Sequence, residues 1–382
     1  MTRAGLAAVL ALSGACTVGL AGQAVPPASG QTRIDVSRMG PAVGDRVPDF
    51  SLPDQTGRLR TLASIMGRRG AVLVFIRSTD WCPYCRTQMV ELQARLPELQ
   101  AQGLGVAAIS YDRQDAHARF AREFGITFPL LADVGSVTIR RFRLLNPVPE
   151  LSLAGGADSP EMRALVQTYV TGGALGDRHK GVALPGTLVL DRQGRVTSRS
   201  FEDAYTERST LAAVLLRTGA GRAATVPGVQ ASTAQLEASA YTSDAAVAPG
   251  NRFTLVAEVT PKPRMHVYAP GAKTYRVVAL TISPQAGLRL SPTRYPPSEV
   301  YHFKPLDERV PAYQKPFILT REVVVEASPA AQRAFEGRDR LTILGSLDYQ
   351  ACDDAVCYNP VSLPLSWTVG LKPLLRPAPV KP

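Results

Sequence analysis

Two cysteine pairs carry the chemistry open to this sequence: Cys82 and Cys85 in STDWCPYCRTQ, and Cys352 and Cys357 in YQACDDAVCYNP. The thiolate is the reactive form of cysteine, and its pKa governs what it attacks. Cys82 ends a strand-like run and opens a helix-like one. Exposed backbone N–H groups and the positive end of the helix dipole favour a thiolate there, predicting a pKa below the roughly 8.5 of a free thiol. Cys85 lies one turn further on, placed to resolve the reaction by closing a small disulfide. Trp81 either shields this site or belongs to the core. The second pair, read alone, could staple a hairpin, the usual role of a disulfide in an exported β-domain. Its neighbours Tyr349, Asp353, Asp354 and Tyr358 make the surroundings polar and aromatic, which favours a redox role. The two aspartates would raise the pKa of nearby thiols, or serve simply as turn residues. Zinc fits poorly, because the second pair has four intervening residues and no histidine beside it. His117, His179, His266 and His302 have no metal-ligand spacing and read as structural. Neither a metal nor another cofactor is expected.

The chain has 382 residues and a net charge of +11, enough for two or three domains. The excess charge is arginine scattered singly, including Arg3, Arg140, Arg141 and Arg143, without an aromatic-interleaved basic stripe, which argues against nucleic-acid binding. Residues 1–24 begin with a single positive charge, continue through small residues and leucines, and reach a plausible cleavage point after Ala24, the layout of a secretory signal. A lipoprotein signal is the alternative, because small residues precede Cys16 in LSGAC. No later stretch offers the roughly 18 consecutive apolar residues of a membrane span. A membrane association, if there is one, would be through that lipid anchor alone.

The elements that must hold the first pair follow from pattern. GAVLVFIRS (70–78) and GVAAISYD (105–112) are continuous apolar runs, expected as strands buried on both faces. Met89, Leu92, Leu96 and Leu99 recur at helical spacing up to a stop at Gly103. A short helix should close on Gly125, and LPGTLVLDRQGRV (184–196) should form a strand, a turn and a second strand. TERSTLAAVLLRTG reads as a closing helix with Thr206 as its candidate cap. Residues 144–183, rich in Gly and Pro, look like an insertion with one helix around SPEMRALVQTYV. Strand–helix–strand–helix followed by a hairpin and a helix is an α/β fold with a mixed sheet. After a linker at 218–232, short β-branched runs split by Pro, Gly and Asn indicate an all-β antiparallel sandwich.

With these residues in place, 41–217 resemble the thioredoxin-like superfamily, in its redoxin and peroxiredoxin-like branch, through GDRVPDFSLPDQTG, WCPYC and LPGTLVLDRQG. The resemblance implies a cis peptide at Leu184–Pro185, presenting backbone to an incoming disulfide. Peroxiredoxins place Thr or Ser three residues before the reactive Cys, and Thr79 matches. Where they place a Pro stands Phe75, and Pro185 falls near the place of the Arg that helps hold the peroxide; Arg77 and Arg86 are the substitutes at hand. Residues 233–370 resemble the N-terminal periplasmic domain of the DsbD family, an immunoglobulin-like sandwich that relays electrons. YQACDDAVCYNP resembles its redox segment, although the best-known bacterial members have five residues between the cysteines. VYHFKPLDERVPAYQKPF resembles its cap-loop region, with Tyr301 or Phe303 as the covering aromatic, and HVYAPG matches another part.

The expectation is therefore an exported, periplasmic thiol–disulfide oxidoreductase, with a thioredoxin-like domain followed by an immunoglobulin-like sandwich. Its partners would be protein thiols and disulfides. The resemblance implies that Cys352–Cys357 exchanges electrons with Cys82–Cys85 inside one chain, at a roughly millimolar effective concentration set by the tether. A second reading is a hydroperoxide-reducing peroxidase regenerated by its own C-terminal domain. A third, non-enzymatic reading is a binding or assembly module with two structural disulfides.

Overall fold

The computed structural model describes residues 33–153, 159–217, 228–303 and 307–377. The expected signal segment with Ala24 and Cys16, and residues 218–227 of the expected linker, lie outside the described residues. No described helix is long and apolar enough to cross a membrane.

The N-terminal half is built on a five-stranded mixed sheet. Its order is Leu130–Ala132, Leu104–Ser110, Gly70–Phe75, Gly186–Leu190 and Val196–Phe201, with the first three parallel and the last two antiparallel. The central strand explains the continuous apolar run. Ala71, Leu73 and Phe75 face one core, while Val72 and Val74 face a second core on the other side of the sheet. That second core also takes Cys82, Cys85, Met89, Leu92 and Leu99 from the helices beneath.

The expected single helix after Cys82 is two, Pro83–Ala94 and Leu96–Ala101, because Pro97 cannot continue the first and instead starts the second. The insertion holds the expected helix, Pro160–Thr171, and another, Pro147–Leu153. Thr210, not Thr206, caps the closing helix Leu211–Arg217, accepting from the Ala213 amide at 3.2 Å. The stretch before it is a two-residue strand, Arg208–Ser209.

The C-terminal half is the expected sandwich. One sheet runs Leu288–Arg294, Phe317–Val325, Asn251–Pro261, Leu236–Thr242 and Val229–Ser232. The last of these strands lies within the stretch expected to be linker, where Ser232 pairs with Glu237. The facing sheet contains Val361–Leu371, Arg340–Tyr349 and Ala279–Ile282. Trp367 is buried between the two sheets and donates its indole N–H to the Val256 carbonyl at 2.9 Å. A third, small sheet pairs His266–Tyr268 with Ala351–Cys352 and carries the second cysteine pair.

The two halves share a strand pairing. Arg208–Ser209 runs parallel to Asn251–Arg252, at the edge left open where Leu236–Thr242 stops. The Arg208 amide donates to Gly250 O at 2.8 Å and the Thr210 amide to Arg252 O at 2.9 Å. Gly250 adopts a φ of +88°, and a Cβ there would lie 2.2 Å from the Thr206 carbonyl and 2.9 Å from the Tyr84 ring. Gly250→Ala is accordingly expected to cost about 1–3 kcal/mol, read as a lower denaturant midpoint at unchanged slope.

Candidate active site

Cys82 is the N-cap of helix Pro83–Ala94, accepting from the Cys85 amide at 3.3 Å, and Pro83 starts the helix without needing a hydrogen-bond acceptor for its nitrogen. The sulfurs of Cys82 and Cys85 are 2.6 Å apart, and both residues are sealed from solvent. Tyr84 packs against the core cluster that holds them and against Gly250 of the sandwich, and burial pushes its hydroxyl up to about 12. Further along the helix, the Thr87 hydroxyl accepts from the Leu375 amide at 2.9 Å, and Glu91 meets Lys372 at 2.9 Å. The helix face opposite the core is thus covered by the C-terminal half, and Arg86, Thr87 and Gln88 are buried along with the apolar positions.

The charge at the thiols comes from a residue that pattern reading passed over. The Arg208 guanidinium donates to Cys85 Sγ at 3.0 Å and lies 3.5 Å from Cys82 Sγ. It is 1% exposed. Its other contacts are carbonyls, those of Tyr205 and Glu207, and among the described residues no carboxylate stands within ion-pair distance of it. Burial pushes both thiols up. At Cys85 the hydrogen bond with Cys82 and the Arg208 charge outweigh burial and hold the thiol well below its ordinary range. At Cys82 the proximity of the Cys85 charge adds to burial, and its pKa is raised. The expected lowering at Cys82 is therefore corrected. The guanidinium favours negative charge on the pair, and more strongly at Cys85, to which it is nearer.

Of the other sequence candidates, Trp81 donates its indole N–H to the Tyr111 hydroxyl at 2.9 Å and meets the His179 ring edge-on at 4.7 Å. Thr79 turns its hydroxyl to His117 Nδ1 at 3.0 Å and Asp112 Oδ2 at 3.2 Å, inside a buried network completed by Ser110. Its hydrogen bonds go to these groups and to Arg86, not to the thiols. Among the described residues no peptide bond is cis, so Leu184–Pro185 departs from that expectation. The Pro185 carbonyl accepts from the Glu202 amide at 2.9 Å, which occupies the backbone an incoming disulfide would need. Of the two substitute arginines, Arg86 is engaged with the Thr79 carbonyl at 2.8 Å and with Glu123. Arg77 is different. It is 2% exposed, lies between the Trp81 and Tyr205 rings at 4.7 and 5.2 Å, and its Nε and Nη2 have no hydrogen-bond partner. His179 is buried as well. Its pKa falls to about 4 through burial and the charges of Arg77 and Arg178, so it is neutral.

The second pair forms a disulfide, Cys352–Cys357. The Tyr268 hydroxyl donates to Cys352 Sγ at 2.9 Å, and Tyr275 stacks on Tyr268 at 4.0 Å. Tyr301 belongs to the same cluster; it stacks on His266 at 3.9 Å and donates to Asp354 at 3.1 Å. The Phe303 side chain lies outside the described residues. Asp353 accepts the Ala355 and Val356 amides at 2.8 and 2.7 Å, the turn role. Tyr349 is buried in the sandwich core, so it does not contribute to a polar surface.

The two pairs lie at opposite ends of the sandwich. Arg208, which touches the first pair, is paired with Asn251, where the strand Asn251–Pro261 begins. Cys352 pairs with His266, beyond the strand's far end, and follows Tyr349, whose hydroxyl meets Thr233 at that same end. The ten steps along these eleven extended residues span about 33 Å at ~3.3 Å per step. In this arrangement the two pairs do not meet, so the expected exchange within one chain would require the halves to part.

Comparison with known proteins fits this layout. Residues 43–199 match the AhpC/TSA family, and residues 233–363 match the N-terminal domain of thiol:disulfide interchange protein DsbD. The chain thus joins an AhpC/TSA family domain to a DsbD N-terminal domain. It is 38% identical over 90 residues to peroxiredoxin Bcp of Escherichia coli (strain K12), covering 24% of this chain and 56% of that protein. It is 31% identical over 126 residues to chloroplastic peroxiredoxin Q of Oryza sativa subsp. japonica, covering 33% and 56%. The chain spans about half the length of these relatives. Peroxidoxin BcpB from Mycobacterium tuberculosis is similar in structure, with a TM-score of 0.33 and 21% identity over 44% of this chain and 88% of that one.

The Arg208 geometry predicts a spectroscopic titration. In reduced protein carrying Cys352→Ser and Cys357→Ser, absorbance at 240 nm should report one thiolate forming well below the roughly 8.5 of a free thiol. Arg208→Met removes the cation that favours the charged form, so the midpoint should move up.

Proposed function

We propose that the chain is an exported thiol-dependent oxidoreductase whose Cys82–Cys85 pair reduces a small hydroperoxide and is returned to the dithiol by thiol–disulfide exchange. The observation that carries this reading is a charged thiol pair sealed from solvent, held by Arg208, with the unpaired Arg77 guanidinium beside it. A small oxidant suits such a site; a folded protein disulfide does not, while the halves remain docked. The similarity of part of the chain to peroxiredoxins supports the same substrate class. The DsbD N-terminal match and the leader at 1–24 support export to an oxidising compartment.

In the proposed reaction, the pair's charge is presented on Cys82, whose sulfur attacks the terminal peroxide oxygen. The O–O bond breaks, the alkoxide or hydroxide takes a proton and leaves, and a sulfenic acid remains on Cys82. Cys85 then attacks the sulfenic sulfur, forming the disulfide and releasing water. Two thiols and one hydroperoxide thus give one disulfide, one alcohol or water, and one further water. Arg77 would face the negative charge developing on the leaving oxygen. A dithiol donor then supplies two electrons through a mixed disulfide. Cys352–Cys357 is a candidate donor, acting from a second molecule or after the halves separate.

Exchange with protein disulfides is the second reading, favoured by the Cys-x-x-Cys spacing at a helix N-terminus. The first test is peroxide loss in single turnover by the reduced chain. Cys82→Ser should abolish it, and Cys85→Ser should leave one turnover ending in sulfenic acid at Cys82. Arg77→Met should lower kcat/KM by about 10²-fold. Peroxide loss no faster than that of a simple dithiol would leave exchange as the function.

A further inference from the structure

The strand that brings Arg208 to the thiols is the same strand that docks the sandwich. Arg208 is therefore shared by two structures. Its guanidinium faces the Cys82–Cys85 charge, and its backbone pairs with Asn251–Arg252. Next to it, the Glu207 carboxylate takes Arg252 at 2.8 Å and Arg289 at 2.6 Å from the sandwich, and Arg33 at 2.7 Å from the N-terminal half.

We propose that docking of the sandwich is coupled to the redox state of Cys82–Cys85 through Arg208: the reduced, charged pair holds the sandwich closed, and the disulfide releases it. The electrostatics give the direction. Oxidation removes two electrons and the one proton left on the charged pair, and the resulting disulfide is neutral. The buried guanidinium then keeps two carbonyl acceptors and the more distant charge of Glu202, which lies beyond ion-pair reach. A buried cation without an anion is strongly disfavoured and moves toward water. Arg208 cannot do so while its amide holds Gly250 O at 2.8 Å and its neighbour's register is fixed by Thr210 on Arg252 O at 2.9 Å. Moving the side chain therefore weakens the pairing that closes the interface. Coupling is reciprocal: a docked sandwich that favours the charged pair must also make the disulfide easier to reduce.

The coupling answers a geometric need. The disulfide forms beneath Tyr84 and Gly250, where a reductant has no access, and the second cysteine pair sits at the far end of the sandwich. Opening on oxidation would expose the disulfide at the point in the cycle when a dithiol must reach it.

This inference rests on the pair cycling between dithiol and disulfide, and its test does not require peroxide turnover. The intact chain is reduced, or oxidised with diamide, which accepts the two electrons and one proton of the charged pair and a second proton from water. Deuterium exchange is then followed at the Arg208 and Thr210 amides. We expect exchange about tenfold faster in the oxidised protein, and no change on diamide treatment of Cys82→Ser. Equal protection in both redox states would overturn the proposal, as would the same loss of protection in Cys82→Ser, which would trace the effect to the other pair. Gly250→Ala gives an independent readout: weaker docking should make the Cys82–Cys85 potential more negative, and an unchanged potential would overturn the coupling.

Discussion

The structure around the first cysteine pair depends on one buried cation. Taking a guanidinium out of water is costly, and a buried charge persists only with a partner of opposite sign and satisfied hydrogen bonds. For Arg208 that partner is the thiol pair, at 3.0 and 3.5 Å. The same contact that makes the arginine tolerable lowers the cost of the thiolate. The burial that raises a lone thiol also removes the water that would screen the attraction. The site is thus both sealed and charged. That combination would be contradictory for an isolated Cys-x-x-Cys, and it is achieved because the sandwich supplies the seal and the edge strand supplies the cation.

The sandwich separates two centres that family resemblance would bring together. Its long strands run from the docking edge at Asn251 to the end where Cys352 meets His266. The docking edge and the tyrosine-covered disulfide are opposite ends of one rigid, well-packed body, with Trp367 tying the sheets together between them. Sliding the domain would not bring the centres into contact. Only separation and reorientation, or a second molecule, would.

Much of the N-terminal site was legible in the sequence because it is local. The strand before Cys82, the helix opening at Pro83 and the buried Met89, Leu92 and Leu99 all follow from spacing along one segment. Arg208 was not legible. It lies in TERST, where Thr206 reads as a helix cap, and a two-residue strand has no period to detect. Its partner strand begins 43 residues later, and only the fold makes them neighbours. Arg77 was visible as one of several arginines, but its lack of an acceptor is a property of burial, which sequence does not report. The single helix expected through Gly103 failed on Pro97, whose effect was readable but was outweighed by the apolar repeat. The strand Val229–Ser232 was taken for linker because Gly, Pro, Ser and Thr surround it, yet edge pairing with Leu236–Thr242 suffices to order it.

The interface that closes over the thiols is built in a way that suits reversal. The contacts that cross it include two backbone hydrogen bonds, the arginines gathered on Glu207, a lysine on Glu91 and one tyrosine ring against a glycine. Interfaces of this polar kind resemble transient protein contacts more than a continuous core, and relative motion is the ordinary expectation for them. Water can replace hydrogen bonds and ion pairs when the halves part, whereas exposed apolar core would be far more costly. Glu207 shows how closely closure and chemistry are linked. It is adjacent in sequence to Arg208, its charge is held by three arginines from separate segments, and two of those segments belong to the sandwich. Any shift of the sandwich is felt at Glu207, hence at the next residue, and hence at the sulfur of Cys85.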